Sequence, residues 1–224
     1  MRALLIANSL DSDAGFVGER FREHGYSFSE NHREHLGDWV GLDDHDLVLM
    51  LGSEWSVYWP ENGESVAQEA DLVRQAHQRG IPTFGVCYGS QMIAHALGGT
   101  VERSRQPEIG WFDVTCDIPD AVASGPWMQW HYDCFTPPPG AEELGRSDVG
   151  SQIIRIGRTF ATQFHPEATE TMITRWARSK GGSAELAKYD MSAEVLIETT
   201  RQNVVHSQPN ASALVDWFLN QVAN

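Results

Sequence analysis

Short unbroken apolar runs alternate with helix-length amphipathic segments along the first half of the chain. Residues 2–8 (Arg-Ala-Leu-Leu-Ile-Ala-Asn) and 46–51 (Asp-Leu-Val-Leu-Met-Leu) have the pattern of strands buried on both faces of a parallel sheet. A helix-sized segment near 13–24 separates them. Over 64–79, Val66, Ala70, Val73 and Ala76 recur at helical spacing and stop at Gly80, just before a further strand over Ile81 to Val86. Strand and helix in alternation predict an α/β fold with a mostly parallel sheet covered by helices. Beyond Gly98-Gly99 the pieces shorten, with strand-like stretches around 109–116 and 151–164 and a turn-rich passage, Thr136-Pro137-Pro138-Pro139-Gly140, read as a loop within the domain. Residues 168–224 read as helical, with Asn210 or Ser212 capping a last helix that carries Leu214, Phe218 and Val222 on one face.

Composition narrows the class. At 224 residues, 41% hydrophobic and 21% charged, the chain suits one globular domain spanning 1–224. A net charge of −15, from 31 acidic against 16 basic residues, would repel a phosphate backbone, so nucleic acid is not an expected partner. No run approaches the ~18 apolar residues of a membrane span, and the N-terminus reads as a first strand instead of a signal peptide. Cys87, Cys116 and Cys134 fit neither a disulfide framework nor a paired zinc motif, which points to a reducing cytoplasm.

The richest stretch is Phe84-Gly85-Val86-Cys87-Tyr88-Gly89-Ser90-Gln91, a buried strand that runs through Gly-x-Cys-x-Gly into a helix over Gln91 to Leu97. That is the form of a nucleophile elbow with cysteine in the serine position, and it would hold the sulfur out over the sheet edge, exposed. At a helix N-terminus Cys87 would feel unpaired N–H groups that favour thiolate, and the N–H of Tyr88 would be available to an oxyanion. A buried structural cysteine between two turn glycines is the competing reading. His165, in Gln163-Phe164-His165-Pro166-Glu167 at the end of a second strand, supplies a base, and Glu167 could fix its tautomer. The same His-x-Glu could offer two metal ligands, but with no clear third no metal is assigned. Cys116 and Cys134 read as small hydrophobes. Trp55, Trp59, Trp111, Trp127 and Trp130 fall toward the expected pocket side, some of them as core.

These blocks, with Ala96-Leu97-Gly98-Gly99, Pro107-Glu108-Ile109-Gly110-Trp111 and Gln129-Trp130-His131-Tyr132-Asp133 between them, resemble the class I glutamine amidotransferases, particularly amidotransferase domains similar to that of GMP synthetase. The resemblance covers most of residues 46–175. It implies a flavodoxin-like three-layer fold: a mostly parallel sheet, helices on both faces and a small antiparallel extension. It also implies Cys87, His165 and Glu167 as catalytic residues, the N–H groups of Tyr88 and Gly52 as oxyanion donors, and Gln91, Trp130 and His131 at the glutamine pocket. No cofactor is implied, and ammonia would pass in trans to a separate synthetase chain. A free-standing γ-glutamyl peptide or amine hydrolase, and a non-catalytic regulatory or binding member of the fold, are the alternatives. Two departures stand out: the family's Gly-Gly-Pro oxyanion loop is here Leu51-Gly52-Ser53-Glu54, which leaves its register open, and Tyr132 replaces a residue that is often small.

Overall fold

The computed structural model describes residues 1–118 and 122–223. In chain order it contains β1 (Arg2–Ala7), α1 (Gly15–Glu23), β2 (Ser27–His32), β3 (Leu47–Met50), α2 (Gly63–Gln78), β4 (Thr83–Val86), α3 (Tyr88–Ala96) and β5 (Val101–Phe112). There follow β6 (Thr115–Cys116), β7 (Trp127–Phe135), β8 (Glu142–Arg146), β9 (Ser151–Ile156), β10 (Thr159–Thr162), α4 (Glu170–Arg178), α5 (Lys180–Lys188) and α6 (Ala193–Gln221). The main sheet has the order β2-β1-β3-β4-β10-β9-β8-β6, and β5 pairs with β7 in a separate antiparallel ribbon. From β2 to β10 the strands are parallel, and β9, β8 and β6 add the antiparallel extension expected from the resemblance.

The unbroken apolar runs follow from burial on both faces. Because successive side chains point to opposite sides of a strand, Ala3, Leu5 and Ala7 of β1 pack with Phe21 of α1 and Phe218 of α6. Leu4 and Ile6 pack with Val66, Ala70 and Val73 of α2 and Met92 of α3 on the other face. Phe84 lies near the centre of the first face, its ring 5.1 Å from Phe218, 5.3 Å from Phe160 and 6.1 Å from Phe21. Fully burying one such ring stabilises the fold by roughly 1.5–3 kcal/mol. A third cluster joins Ile109 and Met128 of the ribbon to Ile173, Leu186, Leu196 and Ile197 of α4, α5 and α6.

One expectation is corrected. Neither Asn210 nor Ser212 caps a last helix: α6 is continuous from a Ser192 cap, whose hydroxyl accepts from the Val195 N–H, and it carries Pro209 inside. Proline removes one helical hydrogen bond, but burial on both sides of it, from Leu196 and Ile197 to Ala211, Leu214 and Phe218, holds the helix together. The strand-like stretch at 151–164 is the antiparallel hairpin β9–β10. Among the described residues no helix is long and apolar enough to cross a membrane, and no group of three or more His, Cys, Asp or Glu side chains is placed to hold a metal ion.

Candidate active site

The sheet order sets the site, because β4 and β10 are parallel neighbours and both end at it. Val86 pairs with Thr162, and the Cys87 N–H donates to the Thr162 carbonyl at 2.8 Å. Cys87 sits at the N-cap of α3 with φ 52° and ψ −108°, a backbone that non-glycine residues adopt only where the surroundings enforce it. The flanking glycines are required by space. A β-carbon on Gly85 would lie 2.5 Å from Ile93 Cδ1 and 2.9 Å from the Gly89 carbonyl, and one on Gly89 would lie 2.5 Å from the Met50 carbonyl. The elbow is therefore packed directly on β3 and on its own helix.

The sulfur is not exposed, as the elbow alone suggested. Cys87 is 4% accessible, with Sγ 3.9 Å from the Trp130 carbonyl, because β7 of the ribbon closes over the sheet edge. The His165 N–H donates to the Met128 carbonyl at 2.8 Å, which ties the histidine to the same strand. Its Nδ1 is 2.8 Å from Glu167 Oε1. Nε2 is buried and, among the described residues, has no hydrogen-bond partner. A β-carbon built on Gly52 would lie 3.1 Å from His165 Cε1 and 3.6 Å from Cys87 Cβ, so the loop after β3 faces both.

Burial works against a charged His165 ring, but the charges of Glu167 and Cys87 more than offset it and raise its pKa well above the ordinary 6.5. A histidine raised in this way contributes stability that is complete below the unfolded value, about 6.5, and is lost as pH rises through the folded one. Glu167→Gln removes the strongest of the raising influences. The alkaline limb of the pH–rate profile is expected to move to lower pH, with kcat reduced about 10²–10⁴-fold. A profile whose alkaline limb stays in place would count against Glu167 as the partner of His165.

Other expected residues are placed as follows. The Gln91 amide nitrogen is 3.4 Å from the Asp133 carbonyl and 3.3 Å from Gln163 Oε1, buried behind the elbow. Along β7 the side chains alternate, so Trp130 and Tyr132 share one face and His131 takes the other. His131 sits in a buried polar network with Glu108 Oε2 and Gln129 Oε1, each 3.1 Å from Nε2, instead of beside the Trp130 ring. Trp127 is core, stacked on Phe164 at 4.7 Å, and Trp111 donates to Thr200 on α6. The indole that lies against His165, at 5.1 Å, is Trp176 of α4, which in turn meets Trp130 at 6.1 Å. Tyr132 stacks on Tyr189 under the Arg103 guanidinium.

Three further residues have no signal in local spacing. Asp133 is buried and accepts from the hydroxyls of Ser56 and of Tyr58, the latter at 2.8 Å, which fastens the loop after β3 to β7. Arg33 and Glu69 form an ion pair whose side chains are wholly inaccessible, and the guanidinium also reaches the Leu51 and Gly52 carbonyls.

The profile of the family described as "Glutamine amidotransferase class-I" matches residues 44–177, the segment that holds the elbow, the loop after β3, the ribbon and Glu167. A glutamine amidotransferase from Thermotoga maritima superposes with a TM-score of 0.88 at 26% identity, over 99% of each chain. A GMP synthase [glutamine-hydrolyzing] from Aeropyrum pernix is 31% identical over 171 residues, 70% of this chain and 32% of that protein. One subunit of the GMP synthase [glutamine-hydrolyzing] of Sulfurisphaera tokodaii is 29% identical over 139 residues, 58% of this chain and 71% of that one. The chain thus spans about a third of the A. pernix protein and matches most of the S. tokodaii polypeptide, which is a subunit in its own right. With the fold, the ordered blocks and the matched segment in agreement, the chain belongs to the class I glutamine amidotransferases.

Proposed function

We propose that the chain hydrolyses the side-chain amide of glutamine through a γ-glutamyl thioester on Cys87 and passes the ammonia to an acceptor enzyme on another chain. The observation that carries this reading is an imidazole fixed at Nδ1 by Glu167 Oε1 at 2.8 Å, with its other nitrogen unengaged, at the strand end beside Cys87. His165 takes the thiol proton as the Cys87 sulfur attacks the amide carbon, and the oxyanion that forms is received by the Tyr88 N–H and by the loop at Gly52. The carbon–nitrogen bond breaks as His165 protonates the leaving amine, and ammonia departs. Water that gives a proton to His165 then attacks the thioester, the carbon–sulfur bond breaks, and glutamate leaves with the sulfur restored.

The similarity to the separate S. tokodaii polypeptide supports an acceptor in trans. Gln91, behind the elbow, and Trp130, whose carbonyl meets the sulfur, are assigned to glutamine binding. His131, hydrogen-bonded away from the Trp130 ring, acts there only by holding β7.

The test is release of glutamate and ammonia from glutamine, set beside release of glutamate from γ-glutamyl dipeptides and amines. Ammonia and glutamate in equal amounts are the expected result. Turnover of the dipeptides with none of glutamine would transfer the assignment to a γ-glutamyl hydrolase. If no substrate of either kind acylates Cys87, as read by mass spectrometry, the chain is a binding or regulatory member of the fold.

A further inference from the structure

Arg33, immediately after β2, is 1% accessible. Its Nε is 2.9 Å from Glu69 Oε2, and Nη2 is 2.9 Å from Glu69 Oε1 and 3.0 Å from the Leu51 carbonyl. Nη1 is 3.2 Å from Asn8 Oδ1 and 3.1 Å from the Gly52 carbonyl. A guanidinium has five N–H donors, and these contacts engage all of them. The guanidinium carbon also lies 4.6 Å from the centre of the Tyr88 ring. One buried cation thus touches both places from which an oxyanion would receive hydrogen bonds: the loop at Gly52 and the residue after Cys87.

In a trans peptide the carbonyl and the N–H of the same unit point in opposite directions. Along an extended strand successive carbonyls alternate sides, yet those of Leu51 and Gly52 both reach the same guanidinium. The N–H groups of Gly52 and Ser53, which belong to those two peptide units, are therefore turned together to the side away from Arg33. Paired N–H groups of this kind form an anion-receiving concavity. The side of Gly52 on which a β-carbon would stand faces His165 Cε1 and Cys87 Cβ.

We propose that Arg33, neutralised by Glu69, is a positioning residue for the oxyanion loop. By holding the Leu51 and Gly52 carbonyls on its own side, it presents the Gly52 and Ser53 N–H groups to an acyl oxygen on Cys87. This rests on the thioester reading above, and it accounts for how a loop of sequence Leu-Gly-Ser-Glu is held in a donating register. A lysine, with three donors at a single point, could not hold two carbonyls and a bidentate carboxylate at once.

The experiment compares two labelling reactions of Cys87 in the wild-type protein, Arg33→Met, Arg33→Lys and the double variant Arg33→Met/Glu69→Leu. A glutamine-shaped chloromethyl ketone reacts through a tetrahedral oxyanion, whereas iodoacetamide reacts by direct displacement and forms none. Mass spectrometry gives the saturating rate of the first and the second-order rate of the second. The ratio is expected to fall at least ~30-fold in Arg33→Met and in the double variant, by less in Arg33→Lys, with iodoacetamide labelling within about threefold of wild type. On glutamine, kcat should fall about 10²-fold while KM changes by less than about threefold.

The double variant leaves no unpaired buried charge, so it reads the loop even if Arg33→Met does not fold. A ratio unchanged in a folded variant would overturn the proposal, as would a parallel fall in both labelling rates. Wild-type protein that shows the chloromethyl ketone preference but releases no glutamate would instead sink the amidase assignment, and the ratio would still decide the role of Arg33.

Discussion

Replacing Cys87 by alanine is expected to lower glutamate release from glutamine by ~10⁴-fold or more while the protein stays folded. The reaction proposed above has no first step without the sulfur, because nothing else at the strand end can form the acyl bond. The fold has little reason to change. Alanine keeps the β-carbon, so the cost of φ 52° is the same in both proteins, and the backbone bond to Thr162 does not involve the side chain. The thiol's polar contact is a long one, 3.9 Å to the Trp130 carbonyl, so thermal unfolding should shift by no more than about 1 kcal/mol in stability. A coupled assay for glutamate with a melting curve on the same sample decides the matter. Alanine protein that retained more than about a thousandth of wild-type turnover would remove Cys87 from the mechanism.

The second large effect lies far from the sulfur in sequence. Gly15→Ala is expected to destabilise the protein by about 2–4 kcal/mol and to lower kcat at least ~10-fold. Gly15 opens α1 at φ +44°, and a β-carbon there would stand 1.9 Å from the Glu167 carbonyl oxygen and 2.9 Å from its carbon. Those atoms are backbone and cannot swing aside. The next residue, Phe16, donates its N–H to that same carbonyl at 3.1 Å, so the start of α1 is what holds the Glu167 peptide in place. Pushing the peptide away would loosen the 2.8 Å contact to His165 Nδ1. Gly25→Ala is the control: φ is +84°, but nothing lies within 4 Å of an added methyl, so it should cost only about 1 kcal/mol and leave kcat alone. Equal denaturation midpoints and equal rates for the two variants would refute the argument.

Much of this architecture can be read from the chain because its evidence is local. Leu47 to Met50 and Thr83 to Val86 are buried on both faces, and continuous apolarity reports that directly. The elbow is equally plain, since both glycines are forced by contacts within or next to the turn. The strand Ser27–His32 escapes notice because it is an edge strand, with only Asn31 buried, and it carries polar residues that a central strand would exclude. Trp127–Phe135 also escapes as a strand, since both of its faces are largely buried, one by aromatics and the other by a polar network, which erases the alternation. Arg33 and Glu69 are 36 positions apart on different elements, and only the folded chain brings the charges together. Asn210 and Ser212 suggested the start of a last helix, but burial on either side of Pro209 keeps α6 continuous.

The pairing of β4 with β10 places the proposed catalytic residues at the middle of an eight-strand array, with three strands on each outer side. Some seventy residues leave the end of one and return beside it as the other, and within them β7 and β9 are tied to the site through Met128, Trp130 and the β9–β10 ladder. Insertions or exchanged loops can therefore accumulate in the excursion outside β7 and β9 without moving sulfur from imidazole. Whatever chemistry such a scaffold carries rests on its innermost ladder, and the periphery is free to vary around it.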